Sequence, residues 1–398
     1  MSTTPGAASA PVRLRALDGI RLLAALSVLL YHYVALGTGW GVTDTSDLFP
    51  LARPVALYGW LGVEVFFLVS GFVICMSAWG RPLGDFVVSR VSRLFPAYWC
   101  AVLLTAAVLW FLPGTQGRRK WGDVLVNLSM LQEGVRIPHV DHAYWSLYVE
   151  LTFYALFAVV VLRGLTYHRV LAFCTVWTAV AVLAPNSGIP LLYNLALPQY
   201  APYFIAGVLF HLMHRFRPTA LLWGLVAVQF LIGQAHVRAR MNVNLGPAVA
   251  DALPTWPARL ALLLGFALMA ALALGRLDRI RWRWLTTAGA LTYPLYLIHM
   301  VAGMAILQSL RGVVPPVPLV CGLTVLMLVC AHLIHRFAER PLTGLLRTGL
   351  RKGLAELRAQ TPARSTTAAP AGGRTAVPSP RTGSAEPGVP APRHPSNH

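Results

Sequence analysis

The chain has 398 residues, of which 56% are apolar and 12% are charged, whereas an ordinary soluble domain has roughly 25% charged residues. So little charge cannot cover a soluble protein of this size, which excludes a soluble enzyme, a disordered scaffold and a secreted disulfide-rich protein. The net charge of +19 is scattered between apolar runs, and this distribution argues against nucleic-acid binding. The composition therefore indicates a polytopic membrane protein.

Ten apolar segments are long enough to be transmembrane helices, which need about 20 residues. Barrel strands would be shorter and alternating, so we predict an all-α fold with about ten transmembrane helices. The predicted spans are 17–36, 56–78, 97–112, 143–162, 169–185, 199–213, 219–235, 256–275, 286–310 and 316–338. They form a membrane domain over 17–341, between an N-terminal segment 1–16 and a tail 342–398. From about residue 361 the tail is rich in Pro, Ala, Thr and Ser, which predicts disorder.

Basic residues predict the orientation in the membrane, because cytoplasmic loops carry an excess of Lys and Arg. With the N-terminus inside, the inner loops hold eighteen Lys and Arg residues and the outer loops hold nine. We therefore predict a multi-pass protein of the plasma membrane whose N- and C-termini are both cytoplasmic. The five cysteines are odd in number and lie in or beside apolar runs, so we predict neither structural disulfides nor a metal site.

Ionisable side chains within apolar helices are the main functional signal, since each costs about 2.5–3.5 kcal/mol to insert at the membrane centre. Six stand in the predicted spans: Asp18, Arg21, His32, Glu64, Glu150 and His299. A rise of 1.5 Å per residue puts the two histidines and two glutamates in the outer half of the membrane, roughly 7–12 Å deep. The alternative is local pairing that merely holds helices together.

Arg21 and His32 are eleven residues apart, which puts them on one face of the first helix, roughly 16 Å apart along its axis. Asp18 precedes Arg21 by three residues and can pair with it. The first helix thus carries an anion-binding group near its inner end and a candidate base near its outer end.

Two further arginines, Arg90 and Arg93, lie at the predicted inner mouth before the third span. Guanidinium groups bind phosphate oxygens in a bidentate manner, and two of them at positions i and i+3 can address one group. The alternative explanation for this pair is positive-inside anchoring.

Other motifs give weaker signals. Ser70 is followed by a single glycine and does not stand in a G-x-S-x-G elbow, which argues against a nucleophilic serine. Gly62 and Gly71 are predicted to allow close helix packing. The remaining polar candidates are two histidine pairs predicted to lie at the membrane interface, His211/His214 and His332/His335, and three candidates for acceptor contact, His139, Asp141 and His142.

Six short motifs occur in order over residues 13–341. They are Leu17-Asp18-Gly19-Ile20-Arg21 followed by His32; Gly62-Val-Glu64-Val-Phe66-Phe67-Leu-Val-Ser70-Gly71; Arg90-x-x-Arg93-Leu-x-Pro96-x-Tyr98; Trp145-Ser146-Leu147-x-x-Glu150-x-x-Phe153-Tyr154; Tyr293-Pro-Leu-Tyr296-Leu-Ile-His299; and Glu339-Arg340-Pro341. In this combination the sequence resembles the acyltransferase 3 family of integral membrane O-acyltransferases. The resemblance implies a ten-helix fold and transfer of an acyl group, often acetyl, from acyl-CoA to a hydroxyl. Acyl-CoA is then a donor substrate, and no bound cofactor is expected.

The resemblance also implies which residues act. Matched to the family motifs, the expected functional residues are Arg21, His32, Arg90, Arg93 and Glu150. We predict His32 as the general base, oriented by Glu150 or Glu64, and the three arginines as ligands of the acyl-CoA phosphates. Supporting roles are predicted for Asp18, Ser70, Trp145, Tyr154 and His299.

The family acts on surface polysaccharides, nodulation oligosaccharides and the hydroxyls of macrolide antibiotics. We therefore expect a glycan or macrolide-like acceptor, and the Arg-, Ala- and Pro-rich composition, which indicates a GC-rich coding sequence, is compatible with an antibiotic-modifying member. The alternative function is a proton-coupled secondary transporter or exporter, because intramembrane Arg, His and Glu also suit proton coupling. The absence of an inverted sequence repeat argues against that alternative.

Overall fold

The computed structural model describes residues 14–41, 43–114 and 117–360. In these residues the chain is helical, and its only strand-like feature is an isolated bridge between Arg311 and Val314. Within the same residues, nine helical spans are long and apolar enough to cross a membrane, and a bent pair of helices adds a tenth. The predicted all-α polytopic fold is thus confirmed. The first thirteen residues and the tail predicted to be disordered lie outside the described residues.

Twelve helices of ten or more residues make up most of the described chain. In chain order they are α1 (Arg15–Leu30), α2 (Gly62–Ala78), α3 (Leu83–Phe111), α4 (Trp145–Leu162), α5 (Tyr167–Leu183), α6 (Ala201–Arg215), α7 (Ala220–Leu245), α8 (Trp256–Ala273), α9 (Trp284–Ile298), α10 (Val301–Leu310), α11 (Pro316–Ile334) and α12 (Arg340–Gln360). Shorter α-helices are Thr45–Leu48, Arg53–Ala56, Trp121–Asn127, Pro190–Ala196 and Pro247–Ala252. Helix α1 ends in a π-helical turn, Tyr31–Ala35, and another such turn, His335–Glu339, precedes α12.

Two helices are longer than predicted, and both differences affect the site. Helix α3 begins at Leu83 and continues through Pro96, so Arg90 and Arg93 lie one turn apart within a helix and not in a loop before it. Helix α7 extends to Leu245, past the predicted end at residue 235. Its Arg240, which the sequence places in an outer loop, is a helical residue that is 2% exposed. Charged side chains end an apolar run, but arginine is a good helix former and does not end a helix.

Helix α6 lies at the centre of the bundle, because every residue from Ala201 to Met213 is buried. It crosses α2 at two glycines. A Cβ atom on Gly71 would lie 2.1 Å from a carbonyl oxygen of α6, and one on Gly207 would lie 2.1 Å from a carbonyl oxygen of α2. Small residues at a crossing allow two backbones to approach. The predicted packing role of Gly71 is confirmed, and so is that of Gly62, which meets α1 in the same way.

The predicted ninth span is broken at His299, where α9 and α10 meet at an angle of 69°. Backbone groups freed by a break inside a membrane need partners from the protein. The Tyr33 hydroxyl donates to the carbonyl oxygen of His299 at 2.6 Å, and the amide of Val301 donates to the Asp141 carboxylate at 2.8 Å. These bonds from distant segments fix the break and hold His299 at the bend.

Candidate active site

A cavity inside the bundle is lined by arginines from two helices. Arg21 comes from α1, and Arg90 and Arg93 come from α3. We name this space the arginine cavity. Its volume is about 100 Å³. The structure therefore brings together three of the predicted site residues, with room for a slender group beside them.

Glu150 of α4 lies in the arginine cavity and is held by two hydroxyl groups. Its Oε1 accepts hydrogen bonds from Ser70 Oγ at 2.6 Å and from the Tyr154 hydroxyl at 2.5 Å. Among the described residues it is the only carboxylate that lines the cavity, and Asp18 acts electrostatically on Arg21 from nearby. Three guanidinium groups still outnumber two carboxylates, so the cavity favours an anion.

Arg90 retains an available donor. Its Nη2 donates to Ser89 Oγ at 3.1 Å, while its buried Nε has no hydrogen-bond partner among the residues that the structure describes. A guanidinium N–H without a partner can donate to a phosphate or carboxylate oxygen in a charge-assisted hydrogen bond. This geometry suits the binding of an anionic group.

A second cavity, of about 390 Å³, lies around His32. We name it the histidine cavity. Polar groups and aromatic rings share its lining, which includes His32, His142, Arg240, Asn244, Tyr31, Trp60, Trp145, Tyr200 and Tyr296. Aromatic surfaces with a few polar groups among them are typical of sites for small organic ligands.

The two cavities share part of their walls. Val63 of α2 and Tyr296 of α9 line both. The Tyr296 hydroxyl lies 2.6 Å from Ser146 Oγ, and it also donates to the Ala143 carbonyl oxygen at 3.2 Å. Tyr296 therefore stands between the arginine cavity and the histidine cavity, and its hydrogen bonds keep it there.

His32 lies in the π-helical turn at the end of α1, a local structure that is frequent at functional sites. Its ring meets the ring of His299 edge to face, with centroids 5.1 Å apart, and its Nδ1 is 3.3 Å from His299 Nε2. The structure thus brings together the two histidines that the sequence predicts at similar depth.

The two glutamates do not join this histidine pair. Among the described residues, the hydrogen bonds of His32 go to Val28 and His299. Glu150 lies in the arginine cavity, and Glu64 Oε1 accepts from Arg240 Nε at 2.9 Å. The expected orientation of His32 by a glutamate is therefore wrong, because depth along a helix does not give the direction in which a side chain points. A catalytic role for either glutamate stays a prediction.

Arg240 is the site residue that sequence reasoning missed. It lines the histidine cavity, lies 4.8 Å above the ring of Tyr200 and pairs with Glu64. Both side chains of the pair are almost fully buried, with 3% of Arg240 and none of Glu64 exposed. A buried carboxylate needs a cationic partner. The position of Glu64 within a predicted span was therefore the available sequence signal that an arginine lies inside another helix.

The predicted supporting residues divide between the two cavities. Ser70 and Tyr154 line the arginine cavity, whereas Trp145 lines the histidine cavity, where its ring centroid is 5.4 Å from that of Tyr200. Asp18 packs on α9, where a Cβ on Gly289 would lie 2.2 Å from its carboxylate oxygen.

The weaker polar candidates have different surroundings. His142 lines the histidine cavity, but the Asp141 carboxylate caps the start of two helices and His139 bonds to Glu133 at 2.5 Å. His211 is 3% exposed and its ring packs on Phe72 of α2, so its side chain points into the protein; its interfacial depth stays a prediction. His335 bonds to Glu339 at 2.8 Å. No cluster of three or more His, Cys, Asp or Glu side chains suited to a metal ion occurs in the described part of the chain.

Comparison with known proteins identifies the family of this chain. The profile of the acyltransferase 3 family, described as an acyltransferase domain, matches residues 14–336. BcsY of Komagataeibacter xylinus, whose name describes a membrane-bound transacylase, is 27% identical over 365 residues, which cover 84% of this chain and 83% of BcsY. The acyltransferase MdmB of Streptomyces mycarofaciens is 29% identical over 153 residues, or 37% of this chain and 38% of MdmB.

YrhL of Bacillus subtilis, whose name describes a peptidoglycan O-acetyltransferase, is 26% identical over 168 residues, which cover 37% of this chain and 24% of YrhL. No solved structure matches the chain significantly. Because the family profile covers well over half of the sequence and nine or ten described helical spans are long and apolar enough to cross a membrane, the chain belongs to the acyltransferase 3 family and is a multi-pass membrane acyltransferase.

Proposed function

We propose that the protein transfers an acetyl or other short acyl group from acyl-CoA to a hydroxyl of a carbohydrate or a sugar-bearing natural product such as a macrolide. The observation that supports this most is the contact between two unlike cavities. One is rich in arginine, the other surrounds a histidine, and Val63 and Tyr296 line both. A donor in one and an acceptor in the other would meet at that shared wall.

The arginine cavity would bind the donor. Arg21, Arg90 and Arg93 supply guanidinium groups for the phosphate oxygens of CoA, and the Nε–H of Arg90 has no partner among the described residues. At about 100 Å³ the cavity holds only a slender part of the molecule, so the adenine nucleotide would stay outside it. The thin pantetheine arm would extend past Glu150 towards Tyr296.

The histidine cavity would bind the acceptor. Its volume of about 390 Å³ is nearly four times that of the arginine cavity. The rings of Trp145 and Tyr200 offer apolar surfaces, while His142 and Asn244 offer polar groups. A sugar ring has an apolar face and a rim of hydroxyls, and this lining is complementary to both.

The proposed chemistry is a single acyl transfer. As the acceptor oxygen attacks the thioester carbonyl, His32 takes the hydroxyl proton as general base. The carbon–sulfur bond then breaks, and the proton passes from His32 to the CoA thiolate. The products are an ester and free CoA thiol. Tyr296 has to move aside for the two substrates to meet, which breaks its hydrogen bond to Ser146.

We expect Arg90→Lys and Arg93→Lys to raise the donor Kd, because lysine keeps the positive charge but loses the planar fork that binds phosphate in a bidentate manner. The measurement is the Kd of acetyl-CoA for purified variants in detergent. Arg163→Lys is the matched control, because Arg163 lines neither proposed substrate cavity. Parental Kd values in both site variants would leave these arginines as structural residues only.

We also propose that the protein lies in the plasma membrane with both termini in the cytoplasm. The acyl-CoA pool is cytosolic, so the arginine cavity would open inwards. Arg90 and Arg93 of the inner count and Arg240 of the outer count all lie within helices. Without them sixteen inner basic residues remain against eight outer ones, so the two-to-one excess that supports this orientation by the positive-inside rule is unchanged.

Cysteine labelling tests the orientation. In a variant without the five native cysteines, we expect Arg81→Cys to be protected from a membrane-impermeant thiol reagent in intact cells. Val135→Cys should react. Both residues are exposed, and they lie in the loops that follow α2 and α3. Permeabilised cells are the control, where both positions should react. The reverse pattern in intact cells would overturn the orientation and the cytosolic route of the donor.

Acyl transfer itself is tested with the full chain in detergent, where no gradient exists. The protein is mixed with acetyl-CoA and either an oligosaccharide or a macrolide that carries a free sugar hydroxyl. We expect free CoA thiol and acetylated acceptor to appear in equal amounts, measured by thiol titration and mass spectrometry. Formation of an ester without release of CoA thiol would contradict the proposed donor. Binding of acyl-CoA without any acylated product from either acceptor would contradict the proposed acceptor class.

A further inference from the structure

The hydrogen bonds of the two histidines determine where their protons lie. His32 Nδ1 is 2.8 Å from the carbonyl oxygen of Val28, and His299 Nδ1 is 2.7 Å from the carbonyl oxygen of Tyr296. A carbonyl oxygen can only accept a hydrogen bond, so each Nδ1 carries a hydrogen. In a neutral imidazole the other nitrogen, Nε2, then holds a lone pair.

In these tautomers, His32 is the donor and His299 is the acceptor of the hydrogen bond between the two rings. His299 Nε2 is an acceptor, and it lies 3.3 Å from the Nδ1–H of His32. The hydrogen on His32 Nδ1 is therefore shared between the Val28 carbonyl and His299. His32 Nε2 keeps its lone pair, has no hydrogen-bond partner among the described residues, and belongs to a side chain that lines the histidine cavity.

We propose that His299 is a positioning residue for acyl transfer, which acts together with the Val28 carbonyl to hold His32 in the tautomer that presents Nε2 as the base. The inference rests on the proposed function of His32. When Nε2 takes the hydroxyl proton, the ring becomes a cation whose charge is shared by Nδ1–H. His299 Nε2 accepts from that N–H and stabilises the cation, as a carboxylate does in a hydrolase triad. The described residues place no carboxylate in hydrogen-bond contact with His32, and a neutral imidazole serves this purpose.

The break between α9 and α10 supports this role, because it fixes the orientation of His299. The ring is held by the Tyr296 carbonyl, and the backbone carbonyl of His299 accepts from the Tyr33 hydroxyl. The Asp141 carboxylate accepts from the amide that begins α10. These bonds satisfy backbone groups that the break frees, and they also fix the backbone from which the His299 ring presents Nε2 to His32.

The test compares three substitutions of His299 in the full-length protein. In His299→Gln the side-chain oxygen reaches the position of Nε2 and can still accept from His32, whereas His299→Leu removes the acceptor. We expect His299→Leu to lower kcat by about 10²-fold or more, the lower end of what a general base contributes. His299→Gln should recover at least tenfold of that loss. The acetyl-CoA Kd should not change in either variant, because His299 does not line the arginine cavity.

His299→Asn and His211→Phe provide the controls. Asparagine reaches the position of Nδ1 and not that of Nε2, so it should be as inactive as leucine. If the leucine variant does not fold, the test is the comparison of kcat between His299→Gln and His299→Asn. Equal kcat values in these two variants would overturn the proposal. His211 is a buried histidine outside both cavities, and His211→Phe should keep parental kcat.

The two hypotheses fail in different ways. Parental kcat in His32→Ala would contradict the proposed base itself. An inactive His32→Ala together with a fully active His299→Leu would overturn only the role of His299.

Discussion

His32→Ala is expected to lower kcat for acyl transfer by about 10²–10⁴-fold, the contribution typical of a general base. The acceptor hydroxyl then loses an imidazole that lines the histidine cavity and whose Nε2 has no hydrogen-bond partner among the described residues. The donor Kd should stay close to the parental value, because the proposed donor ligands Arg21, Arg90 and Arg93 line the other cavity. The loss should therefore appear in kcat and not in donor affinity.

The measurement is the rate of CoA thiol release by purified protein in detergent, at saturating donor and acceptor. Donor affinity is measured separately. His211→Ala is the matched control, since it also removes a buried histidine from the membrane domain but lies outside both cavities. Turnover near the parental rate in His32→Ala would exclude His32 as the base. Equal losses in both variants would indicate general damage to the fold.

Much of the fold could be predicted from the sequence, because a bilayer leaves few choices. Apolar runs of about 20 residues become helices there, since backbone groups can find partners only within the segment. The predicted span 143–162 matches Trp145–Leu162, and the predicted span 316–338 contains Pro316–Ile334. Helix bounds were wrong where charge interrupts an apolar run, as it does near Arg90 and Arg240.

The site was predictable in part. The spacing of Arg21 and His32 gives their heights on α1, and the structure places them in two cavities along that helix. The partner of each side chain depends on how helices α1 to α9 are rotated about their own axes and packed together. A single sequence does not give that information. Glu64 and Glu150 have similar predicted depths, yet one pairs with Arg240 on α7 and the other joins the arginines of α1 and α3.

The broken helix shows the same limit. The run through His299 contains no Asp, Glu, Lys or Arg, so one continuous span is the natural prediction. The break exists because Tyr33 and Asp141, which are far away in the chain, supply partners for the exposed backbone groups. Such bonds are tertiary contacts, and no local sequence pattern predicts them.

The ion pair between Glu64 and Arg240 is expected to have the largest effect on stability. Arg240→Met would leave the Glu64 carboxylate buried without its partner, and Glu64→Leu would do the same to the guanidinium group. Removal of one partner from a buried pair typically costs about 3–5 kcal/mol. We therefore expect each single variant to unfold at a markedly lower temperature in detergent than the parental protein.

The double variant Glu64→Leu/Arg240→Met should regain most of that stability, because apolar residues of similar volume can replace a buried ion pair without large cost. Its thermal unfolding midpoint is compared with those of both single variants. This comparison separates the contribution of the ion pair to stability from the cost of leaving one buried charge without its partner. A double variant as unstable as the sum of the singles would mean that the two residues act independently and that their contact contributes no coupling.

The double variant also separates stability from function. Arg240 lines the histidine cavity whereas Glu64 does not, so we infer that Glu64 acts through Arg240 and that Arg240 faces the acceptor. A hydrogen bond from a charged donor contributes about 1.5–3 kcal/mol, so the stable double variant should show an acceptor KM raised by about tenfold or more. Its donor Kd should be parental. An unchanged acceptor KM would leave the pair with a purely structural role and would remove Arg240 from the acceptor site.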